Sequence, residues 1–136
     1  MSSLTVVAAL DELDRVQDFI RNELERCNCP SEIQFQIELA VEEIFINIVN
    51  YAYHPEIGDA TVFCQVEEDD PLRVIIQFLD QGRPFDPLAR EDVDAHAKVM
   101  QEEVGGLGIF LVKNIMDDVS YAYENGKNVL TIIKSL

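Results

Sequence analysis

Basic side chains are what this sequence is short of. Ten Lys and Arg stand against 26 Asp and Glu, a net charge of −16 over 136 residues. Nucleic acid and anionic membrane surfaces both demand positive charge, so neither is expected as a partner. Long apolar runs are also missing, none approaching the roughly 20 residues that cross a bilayer. The start, Met1-Ser2-Ser3-Leu4, lacks the basic and apolar regions of a secretory signal, and a cytoplasmic protein is expected. Cysteine is sparse: Cys27, Cys29 and Cys64 are odd in number and lack paired-ligand spacing, so they read as free thiols. Internal repeats and low-complexity tracts are absent. What is present is a globular composition, 48% hydrophobic, whose length suits one domain, 1–136, with a real core.

Periodicity supplies the elements. Residues 4–8 are short and β-branched and predict a strand. Over 11–26, Leu13, Val16, Phe19, Ile20 and Leu24 recur at helical spacing, with Asp11 placed to cap. Ser31-Glu32-Ile33-Gln34 reads as a capping box, opening a helix that His54-Pro55 should end near Tyr53. Strands are expected over 60–67 and 72–79 across an acidic turn at 68–71. Two more, 119–123 and 129–133, should form a hairpin across Glu124-Asn125-Gly126-Lys127. A helix is predicted over 107–116. Residues 81–104 are polar with one modest helical patch over 93–100, and so long a loop is a functional lid or a wrong assignment. The sum is an α+β two-layer sandwich, its sheet mixed and mostly antiparallel, with helices on one face.

The second helix carries a polar seam. Ile37, Val41, Ile44, Phe45, Ile48 and Ala52 share one broad apolar face. Glu43, Asn47 and Asn50 fall within about 60° of one another, flanked by Leu39 and Ile46 on one side and Ala40 on the other. Glu38, Glu42 and Tyr53 take the solvent face. A carboxylate and an amide between apolar walls lose hydration unless they find partners. Two explanations stay open: hydrogen bonding across the fold, or a metal–phosphate site. In the second, Asn47 offers Mg²⁺ a neutral oxygen and Glu43 accepts a proton from an attacking hydroxyl.

Two further segments carry chemistry. Asp80-Gln81-Gly82 ends a strand, where an aspartate can accept a hydrogen bond from the exocyclic amine of adenine and a glycine leaves the base room. An ordinary Asp-x-Gly turn has the same letters. Gly105-Gly106-Leu107-Gly108 runs into an apolar helical stretch. Glycine permits close backbone approach, and a helix start favours an anion such as phosphate, though a plain turn before a helix reads identically.

In order along the chain, Glu43 and Asn47, then Asp80-Gln81-Gly82, then Gly105-Gly106-Leu107-Gly108 resemble the Bergerat-type ATPases. That superfamily includes gyrase, the heat-shock chaperone ATPase, MutL and the histidine kinases. More narrowly, the chain resembles the bacterial anti-sigma-factor serine/threonine kinases, whose shortened aspartate box is matched by Asp80-x-Gly82-x-x-Phe85-Asp86. The resemblance covers essentially the whole chain. It implies that Asn47 coordinates Mg²⁺ on the ATP phosphates and that Glu43 is the catalytic base or orients the nucleophile. It implies that Asp80 contacts adenine, that Gly82 makes room for it, and that Gly105, Gly106 and Gly108 line the phosphates. ATP and Mg²⁺ are thereby implied as cofactors, with phosphorylation of an anti-anti-sigma protein, sequestration of a sigma factor, and a homodimer. The other expectation is a nucleotide-dependent binding module without kinase turnover. Departures are visible. Tyr51-Ala52-Tyr53 stands where many relatives have His-Gly-Tyr, and residues 91–104 are strongly acidic, with Lys98 the one basic residue beside nearby Arg90 and Arg83. His96 reads as an exposed loop histidine, and Lys113 and Lys134 as facing solvent.

Overall fold

The structure, a computed structural model, describes residues 1–68, 72–89 and 105–136. Residues 69–71 of the expected acidic turn, and the expected lid with its helical patch, Arg90, His96 and Lys98, lie outside the described residues.

Alternating apolar residues produce the strands β1 (Ser2–Val7), β2 (Asp59–Glu67), β3 (Arg73–Asp80), β4 (Asp118–Glu124) and β5 (Lys127–Ser135). They form one sheet in the order β1-β2-β3-β5-β4. Every neighbouring pair is antiparallel, so the expected mixed component is absent among the described strands. Three helices accompany it among the described residues: α1 (Leu13–Arg26), α2 (Ser31–Tyr51) and α3 (Gly105–Ile115). The α+β class expected from the sequence is thus the class observed.

One face of the sheet makes the core. Val62, Cys64, Val74, Ile76, Phe78 and Ile132 pack with Val16, Ile20 and Leu24 of α1 and Ile37, Val41, Ile44 and Phe45 of α2. Each such side chain contributes roughly 1.5–3 kcal/mol on leaving water. The apolar face read along α2 is the buried face, down to Ala52. Alternate strand positions point the other way and are half-buried or exposed, where Thr5 and Thr61 hydroxyls pair at 2.9 Å and the Gln77 amide donates to the Thr131 hydroxyl at 3.2 Å.

Helix ends depart from the expected caps. A 3-10 turn at Leu10–Glu12 precedes α1 and absorbs Asp11; the cap residue is Glu12, without a side-chain cap bond. At α2 the cap is Pro30, also without a side-chain bond, so the capping box does not form. The Gln34 amide nitrogen instead bonds the Pro30 carbonyl at 2.9 Å and its side chain donates to Glu38 at 3.2 Å. Glu38 is not on the solvent face: Arg21 of α1 holds it at 2.6 Å across the helix pair. Tyr53 lies beyond the end of α2, and its hydroxyl donates to the Asp59 carbonyl at 2.7 Å. Lys134 also turns inward, donating to the Ile115 carbonyl at 2.7 Å, where a cation complements the negative end of α3. The β4–β5 hairpin forms as read, with Glu124 opposite Lys127 and left-handed Asn125 (φ 54°) and Gly126 (φ 77°) in the turn.

Candidate functional site

A cleft of about 410 Å³, counted with its open mouth, lies where the second half of α2 meets the ends of β3 and β5. Asn47 from α2 and Asp80 from β3 both line it, with Ile44, Ile48 and Phe78 as apolar floor. No basic side chain among the described residues lines it.

Asp80 is buried, and its position follows from register: as the last residue of β3 it stands directly opposite Asn128 of β5. Asp80 Oδ1 accepts the Asn128 side-chain N–H at 2.8 Å and the Gly82 backbone N–H at 2.9 Å. Desolvation raises the Asp80 pKa, and these two donors oppose that rise. Asn128, equally buried, also donates to the Arg83 carbonyl at 2.9 Å. Its Oδ1 accepts the Phe85 amide at 3.1 Å and the Tyr121 hydroxyl.

The strand-to-loop exit is packed against the end of α2. A Cβ at Gly82 would overlap the Ala52 carbonyl, and the Arg83 amide bonds that same carbonyl at 3.0 Å. Gly82 is therefore required by helix docking, with Ala52, itself a cleft-lining residue, as its close neighbour. The Arg83 guanidinium is tied to the His54 carbonyl, which anchors the loop. Phe85 lines the cleft and stacks on Tyr51 with ring centroids 5.2 Å apart. Tyr51 thus acts as a wall for the aspartate loop. Asp86 accepts the Leu88 amide at 2.8 Å and so caps the 3-10 turn Pro87–Ala89.

Glu43 sits one helical turn before Asn47 and does not line the cleft itself. It faces α3, where a Cβ at Gly108 would overlap its Oε2. The absence of that Cβ is what lets the carboxylate rest on the helix. Burial, then the neighbouring Glu42 charge, pushes the Glu43 pKa up. Gly105 and Gly106 do not precede the helix as a separate turn; α3 begins at Gly105, so both belong to its first turn. Among the described residues the amides of that turn have no intrahelical acceptor.

Of the residues singled out in the sequence, Asn47 and Asp80 share one cleft, Glu43 and Gly108 touch, and Gly105 and Gly106 start the helix that carries Gly108. Asn128 and Tyr121 were not foreseen. A polar residue on the same strand face as Leu130 and Ile132 was the available signal.

The histidine kinase-like ATPase domain is the protein family that matches, over residues 6–134. Three proteins named serine-protein kinase RsbW are similar to the chain. The one from Listeria monocytogenes is 34% identical, covering 69% of this chain and 61% of that protein. The Listeria innocua protein is 33% identical over the same shares, and a Bacillus cereus protein is 32% identical, covering 69% and 59%. The chain spans between 59% and 61% of the length of these relatives. The chain belongs to the histidine kinase-like ATPase domain family.

Proposed function

We propose that this chain is an ATP- and Mg²⁺-dependent serine/threonine kinase that acts as an anti-sigma factor in the cytoplasm. Its substrate would be a small anti-anti-sigma protein, and its other partner a sigma factor that it sequesters. The observation that carries the reading is the contact of Glu43 with Gly108. It joins the carboxylate seam of α2 to the glycine-rich start of α3 across 65 positions of sequence, next to the cleft that Asn47 and Asp80 share.

The residues present fit ATP and Mg²⁺. A helix start made of glycines gives phosphate oxygens backbone donors without Cβ obstruction, and the missing Cβ at Gly108 seats the Glu43 carboxylate beside that start. Asn47 offers a neutral oxygen of the kind Mg²⁺ accepts alongside water and phosphate. No group of three or more His, Cys, Asp or Glu converges among the described residues, so a cation here would depend on Asn47, water and the ligand's own oxygens. Bound Mg²⁺-ATP supplies the transferable phosphoryl group and neutralises charge on it. Glu43, held above its ordinary pKa and without a hydrogen-bond partner among the described residues, takes the proton of the incoming serine hydroxyl. Asp80 accepts from the base, and the Tyr51–Phe85 stack shields that end from water. A net charge of −16 favours partners with a basic face.

The test is incubation with Mg²⁺-ATP and a candidate antagonist, followed by detection of phosphoserine. Transfer that disappears in Asn47→Ala supports the kinase. Tight partner binding in the presence of ATP with no transfer would instead favour the nucleotide-dependent binding module. Absence of any ATP binding by calorimetry overturns both.

A further inference from the structure

Asn128 has every hydrogen-bonding position filled, and the pattern permits one orientation of its amide. Both N–H groups point at acceptors, Asp80 Oδ1 and the Arg83 carbonyl, while Oδ1 receives two donors, the Phe85 amide and the Tyr121 hydroxyl. Turning the amide over would set oxygen against two acceptors and N–H against the Phe85 N–H, while only the Tyr121 hydroxyl could turn to suit. The amide is thus a polarity key locked from four sides in a buried position.

Its consequence falls on Asp80. Asn128 and Gly82 both bond Oδ1, and no hydrogen bond reaches Oδ2 among the described residues. Yet Oδ2 is not sealed off: the only buried side-chain oxygen or nitrogen without a partner among the described residues is Gln17 Oε1. Asp80 lines the cleft, so Oδ2 is the oxygen it shows there. Two donors crowding Oδ1 also exclude a proton from that atom.

We propose that Asn128 is the positioning residue that sets base selectivity, holding Asp80 so that Oδ2 meets the cleft as an acceptor for an amino group. This rests on the reading of Asp80 as the contact to the base. An acceptor there matches the 6-amino group of adenine and is repelled by the 6-oxo group of hypoxanthine. Loss of the Asn128 donor lets the carboxyl rotate or carry a proton on Oδ2, which turns the acceptor into a donor that suits the oxo group.

The experiment is calorimetric titration of the full chain, with Mg²⁺, against ADP and IDP, which differ only on that edge of the base, at the 6-substituent and the adjoining N1. Wild type should prefer ADP by about tenfold or more. Asn128→Asp keeps the shape of the side chain but replaces both donors with lone pairs, and the two carboxyls must then share a proton. It should reduce the preference to about twofold or less, mainly by weakening ADP. Asn128→Ser retains one hydroxyl donor in a smaller side chain and gives a second reading should the aspartate fail to fold. An intermediate preference there supports the proposal. Equal weakening of ADP and IDP in a cooperatively melting Asn128 variant means that the residue is merely structural and overturns it. Asp80→Asn separates the underlying reading: if that variant keeps the wild-type preference, the base contact lies elsewhere and both fall. If it loses the preference while the Asn128 variants keep it, only the role of Asn128 is wrong.

Discussion

The two ends of this site are built on opposite terms. At the Asp80 end, the Asn128 amide is fully paired, one aspartate oxygen is doubly tied, and the adjoining loop is bonded to the end of α2. At the Glu43 end, a carboxylate lies against bare helix with no hydrogen-bond partner among the described residues and with its pKa raised by burial. A filled network in a low-dielectric pocket is rigid and keeps one geometry before any ligand arrives. An unpaired, partly desolvated carboxylate is costly in the empty protein and is eased only by a proton or a cation. The difference separates recognition, which is prepaid in the fold, from reaction, which the ligand must complete. On the proposed reading the base is selected by a fixed acceptor, and the proton is taken by a carboxylate whose basicity burial raises.

The largest expected effect breaks the reactive end. Glu43→Gln should lower phosphoryl transfer by roughly 10²–10⁴-fold, or about 3–5 kcal/mol, because the amide cannot accept the hydroxyl proton. The same variant should be slightly more stable than wild type without ligand at neutral pH, by less than about 0.5 kcal/mol because solvent screens a half-exposed group, since a partly desolvated charge is removed. The sign with pH follows from the raised pKa in the folded state. Stability attached to the wild-type carboxyl is present below the ordinary glutamate range and is lost as pH rises through the elevated folded value. The advantage of the glutamine should therefore be present at neutral pH and vanish at about pH 3, well below the ordinary glutamate pKa, where both states are protonated. Thermal melts at the two pH values, beside a transfer assay, check both halves. An equally stable or weaker variant at neutral pH would mean that Glu43 has a partner at its end of the site after all.

Next comes Gly108→Ala, which should separate geometry from stability. The new methyl meets the far end of a flexible side chain, so Glu43 can swing away at little cost to the fold. The helix gains about 0.5–1 kcal/mol from replacing glycine, which offsets the adjustment. Transfer should still fall by about 10²-fold, since displacing a catalytic group by an ångström has that order of effect. Unchanged transfer with the carboxylate displaced would show that its seat on α3 is incidental.

How much of this was legible beforehand divides along the same line. The apolar stripe of α2 and the alternation in β2 and β3 were readable because burial imposes periods of 3.6 and 2 on the sequence. The hairpin was readable from Asn125-Gly126, whose left-handed backbone few other pairs tolerate. Glu43 and Asn47 stood out as polar groups between apolar walls, and Asp80 as an aspartate at a strand end with a glycine two residues on. Asn128 did not, since its importance comes from lying opposite Asp80, and register between strands 48 positions apart is a tertiary fact. The caps failed for a related reason. Asp11 and Ser31 are sound cap residues, but a 3-10 turn and Pro30 supplied the entries, so local preference yielded to how the chain arrives. The Asp-x-Gly spacing marks Gly82 but does not show its close packing on the Ala52 carbonyl, which is a tertiary contact.

At the recognition end the expected effects are on stability. Gly82→Ala places a methyl on backbone, which cannot yield as a side chain does, so the loop must lift from α2. A loss of about 1–3 kcal/mol is expected, read as a lower urea midpoint with unchanged slope. A neutral result would mean that the loop shifts without its bond to Ala52, and the recognition end would be softer than its hydrogen bonds imply.

The smallest effect should come from Tyr121→Phe. The hydroxyl donates to Asn128 Oδ1 and also accepts the Phe85 amide at 3.3 Å, a bond that amide shares with Asn128 at 3.1 Å. Removing it leaves Asn128 with three of its four partners, enough to keep the amide from turning over, and Tyr121 is only half-buried, so water can take the vacated place. About 0.5–1.5 kcal/mol of stability should be lost, as for a single neutral hydrogen bond. The ADP-over-IDP preference should stay within about threefold of wild type, the equivalent of less than 0.7 kcal/mol. A collapse of that preference in Tyr121→Phe would mean that the hydroxyl, and not the acceptors Asp80 and Arg83, fixes the amide. The fixed end would then depend on a side chain half open to solvent, and its contrast with the Glu43 end would narrow to a difference of degree.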